Sequence, residues 1–253
     1  GDRVAVLLPN RPEYFEIYFG CARAGAVAVP LNYRLTGKEL AQIVAHAEPT
    51  LFIVGAEFLA QMRELKTLIS SLCPVWVLGG EPPAGMGCYE AAIDSADAQH
   101  APVPVCDTDP CAIFYTSGTT GLPKGAMVSH VNLEMNGYNE MIADASRRDD
   151  INLVSTPIYH VGAVFVAMTY MMLGCTQVIM PRCEPGLWLK PLQQSRATVA
   201  LLIPTMINAV LNHPDCESTV LSSLRLIFYG GGPMPPAVLE RAMTRLRCAF
   251  TQG

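Results

Sequence analysis

The densest chemistry in this sequence lies in Thr116-Ser117-Gly118-Thr119-Thr120-Gly121-Leu122-Pro123-Lys124-Gly125, ten residues with four hydroxyls, three glycines and a lysine. Such a segment suits the holding of phosphate. Glycines let backbone N–H groups approach an anion with no Cβ in the way, hydroxyls donate to phosphate oxygens, and a lysine supplies charge. At an effective dielectric of ~20, a lysine about 4 Å from a phosphate charge interacts by roughly 4 kcal/mol before desolvation. The bland alternative is a polar turn that merely joins two elements. A Walker A loop is excluded by residue order, because it needs Gly-Lys-Ser/Thr opening a helix. Here Pro123 precedes Lys124 and Gly125 follows it.

Two further segments carry candidate residues. Ile227-Phe228-Tyr229-Gly230-Gly231-Gly232-Pro233-Met234 leaves an apolar run and enters a helical pattern over Pro235 to Arg245, with proline in the first turn. Gly230, Gly231 and Gly232 permit close backbone approach, or simply a tight strand-to-helix turn. Thr156-Pro157-Ile158-Tyr159-His160-Val161-Gly162 brings one histidine to the start of an apolar helix pattern. A lone histidine there is read either as a packed residue or as a ligand-facing one.

The elements that must position these residues alternate. Val4 to Leu8 reads as a strand, Tyr14 to Ala22 as a helix and Ala26 to Pro30 as a second strand. Thr36-Gly37-Lys38-Glu39 has the layout of a capping box, followed by Leu40, Ile43, Val44 and Ala47 on one helical face and the run Thr50 to Val54. Further strands are expected at Val75 to Leu78, Ala112 to Tyr115, Leu153 to Ser155, Val199 to Ile203 and Leu226 to Tyr229. Alternation of this kind predicts an α/β protein of two helix-covered, mainly parallel sheet lobes. The expected division is a first lobe over 11–145, holding the phosphate loop, and a second over 150–253, holding the His160 segment and the glycine turn, with 1–10 assignable to the second. Glu81 to Pro110 is rich in Pro, Ala and Gly and reads as a long connection with one short helix.

With 51% apolar and 15% charged residues in 253, the chain can bury a large core and is not disordered. A net charge of −5 supplies no basic field for DNA or RNA, so no nucleic-acid partner is expected. Nine scattered cysteines with no C-x-x-C pair suit neither zinc nor a disulfide scaffold, so no metal ligands are assigned. They read as small core residues in a reducing cytosol. Gly1-Asp2-Arg3-Val4 lacks the layout of a signal peptide and reads as an interior segment. The apolar run Val161 to Met180 nearly reaches membrane length, but Gly174 divides it into a helix-length piece and a strand-length piece, and Thr176 and Gln177 interrupt it. No membrane span is expected.

The ten-residue loop resembles the signature loop of the adenylate-forming superfamily throughout. That superfamily contains acyl-CoA synthetases, peptide-synthetase adenylation domains and firefly-type luciferases. The resemblance extends from Gly1-Asp2-Arg3-Val4-Ala5 through the Ala24-Gly25-Ala26-Val27 turn to the end of the chain. It implies that Thr116, Ser117, Gly118, Thr119, Thr120, Gly121 and Lys124 hold the β- and γ-phosphates of ATP, with Lys124 and Thr120 assisting catalysis. It also implies that Gly230, Gly231 and Gly232 lie against the nucleotide. Thr251, Gln252 and Gly253 resemble the start of the superfamily's Tyr-Gly-x-Thr-Glu segment, whose ring stacks on adenine and whose glutamate binds Mg2+. Those later residues, a ribose-binding aspartate and a catalytic lysine would follow Gly253, so the 253-residue chain alone is expected to fold yet not to make a thioester.

By the same resemblance His160 gates and orients the substrate beside the carboxylate, with Val161, Val164, Phe165, Met168 and Met172 lining an apolar acyl pocket. Amino-acid adenylation domains place an aspartate near the start of this helix, whereas no Asp or Glu occurs here between Asp150 and Glu184. The implied reaction is ATP-dependent activation of an aliphatic or aryl carboxylic acid to an acyl adenylate and then a thioester, with ATP, Mg2+ and coenzyme A as cofactors. An amino-acid-type adenylation domain and a non-catalytic nucleotide-binding module are the alternative readings, and a homodimer is left open.

Overall fold

Parallel strands need a crossover between them, and the alternation of short apolar runs with amphipathic stretches supplies one each time. The structure is a computed structural model describing residues 1–69, 72–116, 123–182 and 184–253. It divides into two units, 1–132 and 133–253.

The first unit contains β1 (Arg3–Leu7), α1 (Glu13–Arg23), β2 (Val27–Pro30), α2 (Gly37–Ala47), β3 (Leu51–Gly55), α3 (Leu59–Leu68), β4 (Val75–Leu78), β5 (Gly87–Cys88), α4 (Tyr89–Asp94), β6 (Pro110–Thr116) and β7 (Lys124–Ser129). Its sheet has the order β5-β4-β3-β1-β2-β6-β7. All pairings are parallel except β6 with β7. Residues 1–10 therefore belong to this unit and not to the second. β1 pairs on one side with β2 (Val4↔Ala28) and on the other with β3 (Val4↔Leu51), and Val4 to Leu7 are buried as a central strand must be. The capping box forms as its residues dictate: Thr36 Oγ1 accepts from the Glu39 N–H, and the Glu39 carboxylate accepts from the Thr36 N–H. Leu40, Ile43, Val44 and Ala47 face a core shared with Phe52, Val54, Met62 and Leu65.

The boundary falls inside α5 (His130–Ala143). The second unit continues through β8 (Ile151–Val154), α6 (Val161–Met172), β9 (Thr176–Ile179), α7 (Pro185–Ser195), β10 (Val199–Leu202), α8 (Pro204–Leu211), β11 (Leu226–Tyr229), α9 (Pro236–Leu246) and β12 (Ala249–Gln252). Its parallel sheet runs β12-β11-β10-β8-β9. Gly174, at φ +76°, turns the chain between α6 and β9, and among the described residues no helix is long and apolar enough to cross a membrane. Burial pushes the thiols of Cys21 and Cys248 up to about 12, so both are unreactive packing groups.

The amino-terminal edge of the second sheet is stitched by a buried ion pair. Asp150, 3% exposed, accepts from Arg225 Nε (2.7 Å) and Nη2, from Thr198 Oγ1 (2.7 Å) and from the Arg147 N–H (2.8 Å). These groups stand just before β8, β10 and β11. Backbone bonds from Thr198 N to Ile151 O, Arg225 N to Thr198 O and Ala249 N to Arg225 O continue the row. Burial opposes the charge on Asp150, but the hydrogen bonds from Arg225, Thr198 and Arg147 outweigh it and hold the carboxyl below its ordinary 3.8. Because the folded value is depressed, the stabilisation is complete above that pH and is lost as pH falls through the folded value. Arg225→Met leaves the carboxylate uncompensated and should cost about 3–5 kcal/mol of unfolding free energy. Urea titrations of both proteins should show this gap at pH 7, and the gap should narrow as pH falls, because protonation of the uncompensated Asp150 relieves the variant while it weakens the parent.

Candidate functional site

In the first unit β6 and β7 form an antiparallel pair whose last rung is Thr116↔Lys124. Both residues are exposed. Ser117, Gly118, Thr119, Thr120 and Gly121 lie outside the described residues. Lys124 forms no ion pair with any described carboxylate, which leaves its charge available to an anion. One rung further in, Gly125 faces Tyr115. A Cβ there would lie 2.8 Å from Ile113 Cγ2 and 3.2 Å from Tyr115 Cζ, so only glycine lets these side chains cross β7.

In the second unit all strands are parallel, so their carboxyl ends share one edge. The chain passes from β8 to β9 on one side and then returns to β10 on the other, which makes β8/β10 the switch point of the strand order. Open α/β sheets bind ligands outside the carboxyl ends at such a point. β8 and β10 pair only at Val199↔Asn152 and Ala200↔Leu153, and beyond these Thr156 Oγ1 donates to Leu201 O at 2.8 Å. The segments that leave this edge are Thr156 to His160 from β8, Ile203-Pro204 from β10, Gly230 to Gly232 from β11 and Gly253 from β12. The sequence candidates of the second unit thus gather on one edge.

The three glycines of the turn serve different ends. A Cβ on Gly230 would stand 2.8 Å from the Gly253 carbonyl oxygen, so this glycine permits the close approach of two backbones, where Gly253 N also donates to Tyr229 O. Gly231 has φ +75°, a conformation side chains disfavour. Gly232 has neither constraint: its φ is ordinary, and a Cβ would meet nothing within 4 Å. Among the described residues nothing requires glycine at 232. Thr251 and Gln252 lie on β12 beside Phe228 and Tyr229, and the Tyr229 hydroxyl donates to Gln252 Oε1 at 3.3 Å.

His160 is the exposed N-cap of α6, its ring 4.5 Å from that of Tyr159. Val161 and Phe165 are half-buried on the first turns of α6, whereas Val164 is 1% exposed. Met168 is buried, and Met172 lies against Gly137 of α5. Of these side chains Val161 and Phe165 remain accessible beside His160. Ile203, 41% exposed and 3.6 Å from a Cβ placed on Gly231, joins this edge and was not singled out by the sequence. It ends an apolar run, and only the strand boundary reveals that it leaves the sheet. Among the described residues no His, Cys, Asp and Glu gather in a group that could hold a metal ion.

A doubly wound parallel sheet with a glycine-rich turn at its carboxyl edge, and a hairpin ending on a lysine unpaired among the described residues, fit the class of nucleotide-type α/β proteins. The profile of the AMP-binding enzyme family matches residues 1–253, and the chain belongs to that family. A feruloyl-CoA synthase of an Amycolatopsis species is 37% identical over 254 residues, 100% of this chain and 48% of that protein. An indoleacetate–CoA ligase of Aromatoleum aromaticum is 34% identical, over 96% of this chain and 48% of that protein. Among solved structures, the ATP-bound MatB of Rhodopseudomonas palustris superposes with TM-score 0.83 at 29% identity, covering 100% of this chain and 50% of MatB. The chain thus spans about half the length of the curated relatives it matches.

The glycine analysis separates two substitutions. Gly230→Ala forces the Gly253 backbone away and should lower unfolding free energy by about 1–3 kcal/mol, the usual cost of overpacking. Gly232→Ala should stay within about 0.5 kcal/mol of the parent. Urea unfolding of the two variants side by side checks the contrast.

Proposed function

We propose that the full-length protein activates a carboxylic acid with ATP and passes the acyl group to a thiol, that of coenzyme A. A carboxylate oxygen attacks the α-phosphorus of ATP, the bond to the pyrophosphate oxygen breaks, and an acyl adenylate remains. The thiol sulfur then attacks the acyl carbon, AMP leaves, and the thiol proton passes to solvent. An ionised carboxylate needs no general base for the first step, so catalysis is positioning and charge stabilisation.

The observation that carries this reading is Lys124, exposed, opposite Thr116 on the last rung of the hairpin and unpaired among the described residues. We assign Lys124 and Thr116, with Ser117, Gly118, Thr119, Thr120 and Gly121, to the pyrophosphate that departs. Gly232 at the carboxyl edge of β11 leaves the open space that the nucleotide would fill. The described carboxylates form no set that suits Mg2+.

For the acid we favour an aryl or aliphatic carboxylate. The absence of Asp and Glu from 151–183 leaves no partner for an ammonium on α6, and Val161 and Phe165 offer apolar surface beside His160. The relatives named for ferulate and indoleacetate support the aryl choice. His160 would orient the carboxylate. The scattered cysteines, unpaired among the described residues, support a reducing compartment, and we assign the protein to the cytosol.

ATP–pyrophosphate exchange by the full-length protein across aryl acids, fatty acids of graded length and amino acids tests the reading. Exchange with aryl or aliphatic acids is expected. Exchange with amino acids alone, or with none of the panel, overturns it. Lys124→Ala should lower kcat/KM for ATP by roughly 1.5–3 kcal/mol, the range for a hydrogen bond to a charged group, with the fold intact by circular dichroism. Gly232→Ala, neutral for stability, should depress the exchange rate.

A further inference from the structure

We propose that His46 and Tyr115 form a positioning pair that fixes where the Thr116–Lys124 end of the β6–β7 hairpin stands relative to α2. Tyr115 is the side chain immediately before the phosphate loop, and its hydroxyl lies 2.6 Å from His46 Nδ1, with the two rings edge to face at 5.7 Å. The hydroxyl-bearing end of the ring, Cζ and Cε1, also lies across Gly125, the residue after Lys124. One side chain therefore meets both α2 and the backbone next to Lys124.

His46 stands on a fixed platform. It lies in the last turn of α2, whose final carbonyls are held from β1: Arg3 Nε donates to Ala47 O at 2.9 Å and Arg3 Nη2 to Glu48 O at 2.7 Å. Ile113 and Tyr115 also pack on the core that contains Val44 and Ala47. Burial raises the Tyr115 phenol, so it keeps its proton, and a single hydrogen bond joins its oxygen to His46 Nδ1. A connected series then runs from β1 through the end of α2 and the His46–Tyr115 bond to the Tyr115↔Gly125 rung. The next rung is Thr116↔Lys124. Without this bond the ring keeps its packing but loses the contact that sets its height over Gly125.

The kinetic arm of the test rests on the proposed ligase activity, and the exchange arm does not. In the full-length protein we compare Tyr115→Phe, His46→Ala, their double variant and His46→Asn, whose amide stands as far along the side chain as Nδ1. Hydrogen–deuterium exchange of the 124–129 amides should quicken by about three- to tenfold in each of the first two, in line with one net hydrogen bond. It should quicken no further in the double variant and should return toward the parent in His46→Asn. KM for ATP should rise by a similar factor while KM for the acid stays unchanged. Unchanged hairpin exchange in Tyr115→Phe and His46→Ala overturns the pairing, and faster exchange with an unaltered ATP KM overturns the positioning role. If the parent itself shows no ATP-dependent exchange with any acid, the proposed function fails, while the amide data still decide whether the pair holds the hairpin.

Discussion

Parallel pairing is the constraint on which both units depend. It sends every connection back across a face of the sheet and collects all carboxyl ends on one edge. In the second unit the two edges of the sheet divide the work. The amino-terminal edge is closed by Asp150, Thr198 and Arg225, with the backbone row that continues to Ala249. The carboxyl edge releases Thr156, Ile203 and Gly230 from the sheet. Rigidity at one end is what allows the other to carry strained and open backbone without loss of register.

Glycine identity at the β11 turn has three separate causes, and only by separating them does the turn become informative. Gly230 is required by the neighbouring strand and Gly231 by its own backbone, so both would be glycine in a protein with no ligand. Gly232 has no such internal reason. Gly125 is a fourth case, where the obstacle is a pair of side chains on the adjacent strand. A motif of identical letters thus mixes positions that the fold fixes as glycine with one that the described residues leave free.

Much of the fold was legible because local and global preferences agree. Thr36 and Glu39 cap α2 as their spacing indicates, Gly174 turns the chain where the apolar run divides, and Val75 to Leu78 and Leu226 to Tyr229 are strands with the expected bounds. What escaped depends on partners distant in sequence. β7 is an edge strand with three of its six residues exposed, so it lacks the apolar signature of its neighbours and is defined only by pairing with β6. Residues 3–7 announce a strand but not which sheet receives it, since β2 and β3 claim it through backbone bonds that carry no side-chain code. The glycines, His160 and the hydroxyl loop were visible by type. His46 was not, because an exposed histidine at a helix end gains meaning only from Tyr115, 69 residues away.

The ion pair at the amino edge also shapes how the second unit assembles. Arg225 and Asp150 are separated by 75 residues, and β10 enters between β8 and β11 after β9 has already taken the other side of β8. Closing a loop of that length costs about 4 kcal/mol in chain entropy, before any constant, and nothing local offsets it until β10 is in place. Folding of this unit must therefore wait on a non-local event, in the manner of high-contact-order chains. Because β11 borders only β10 and β12, the glycine turn stands on strands that such non-local closure alone brings beside β8.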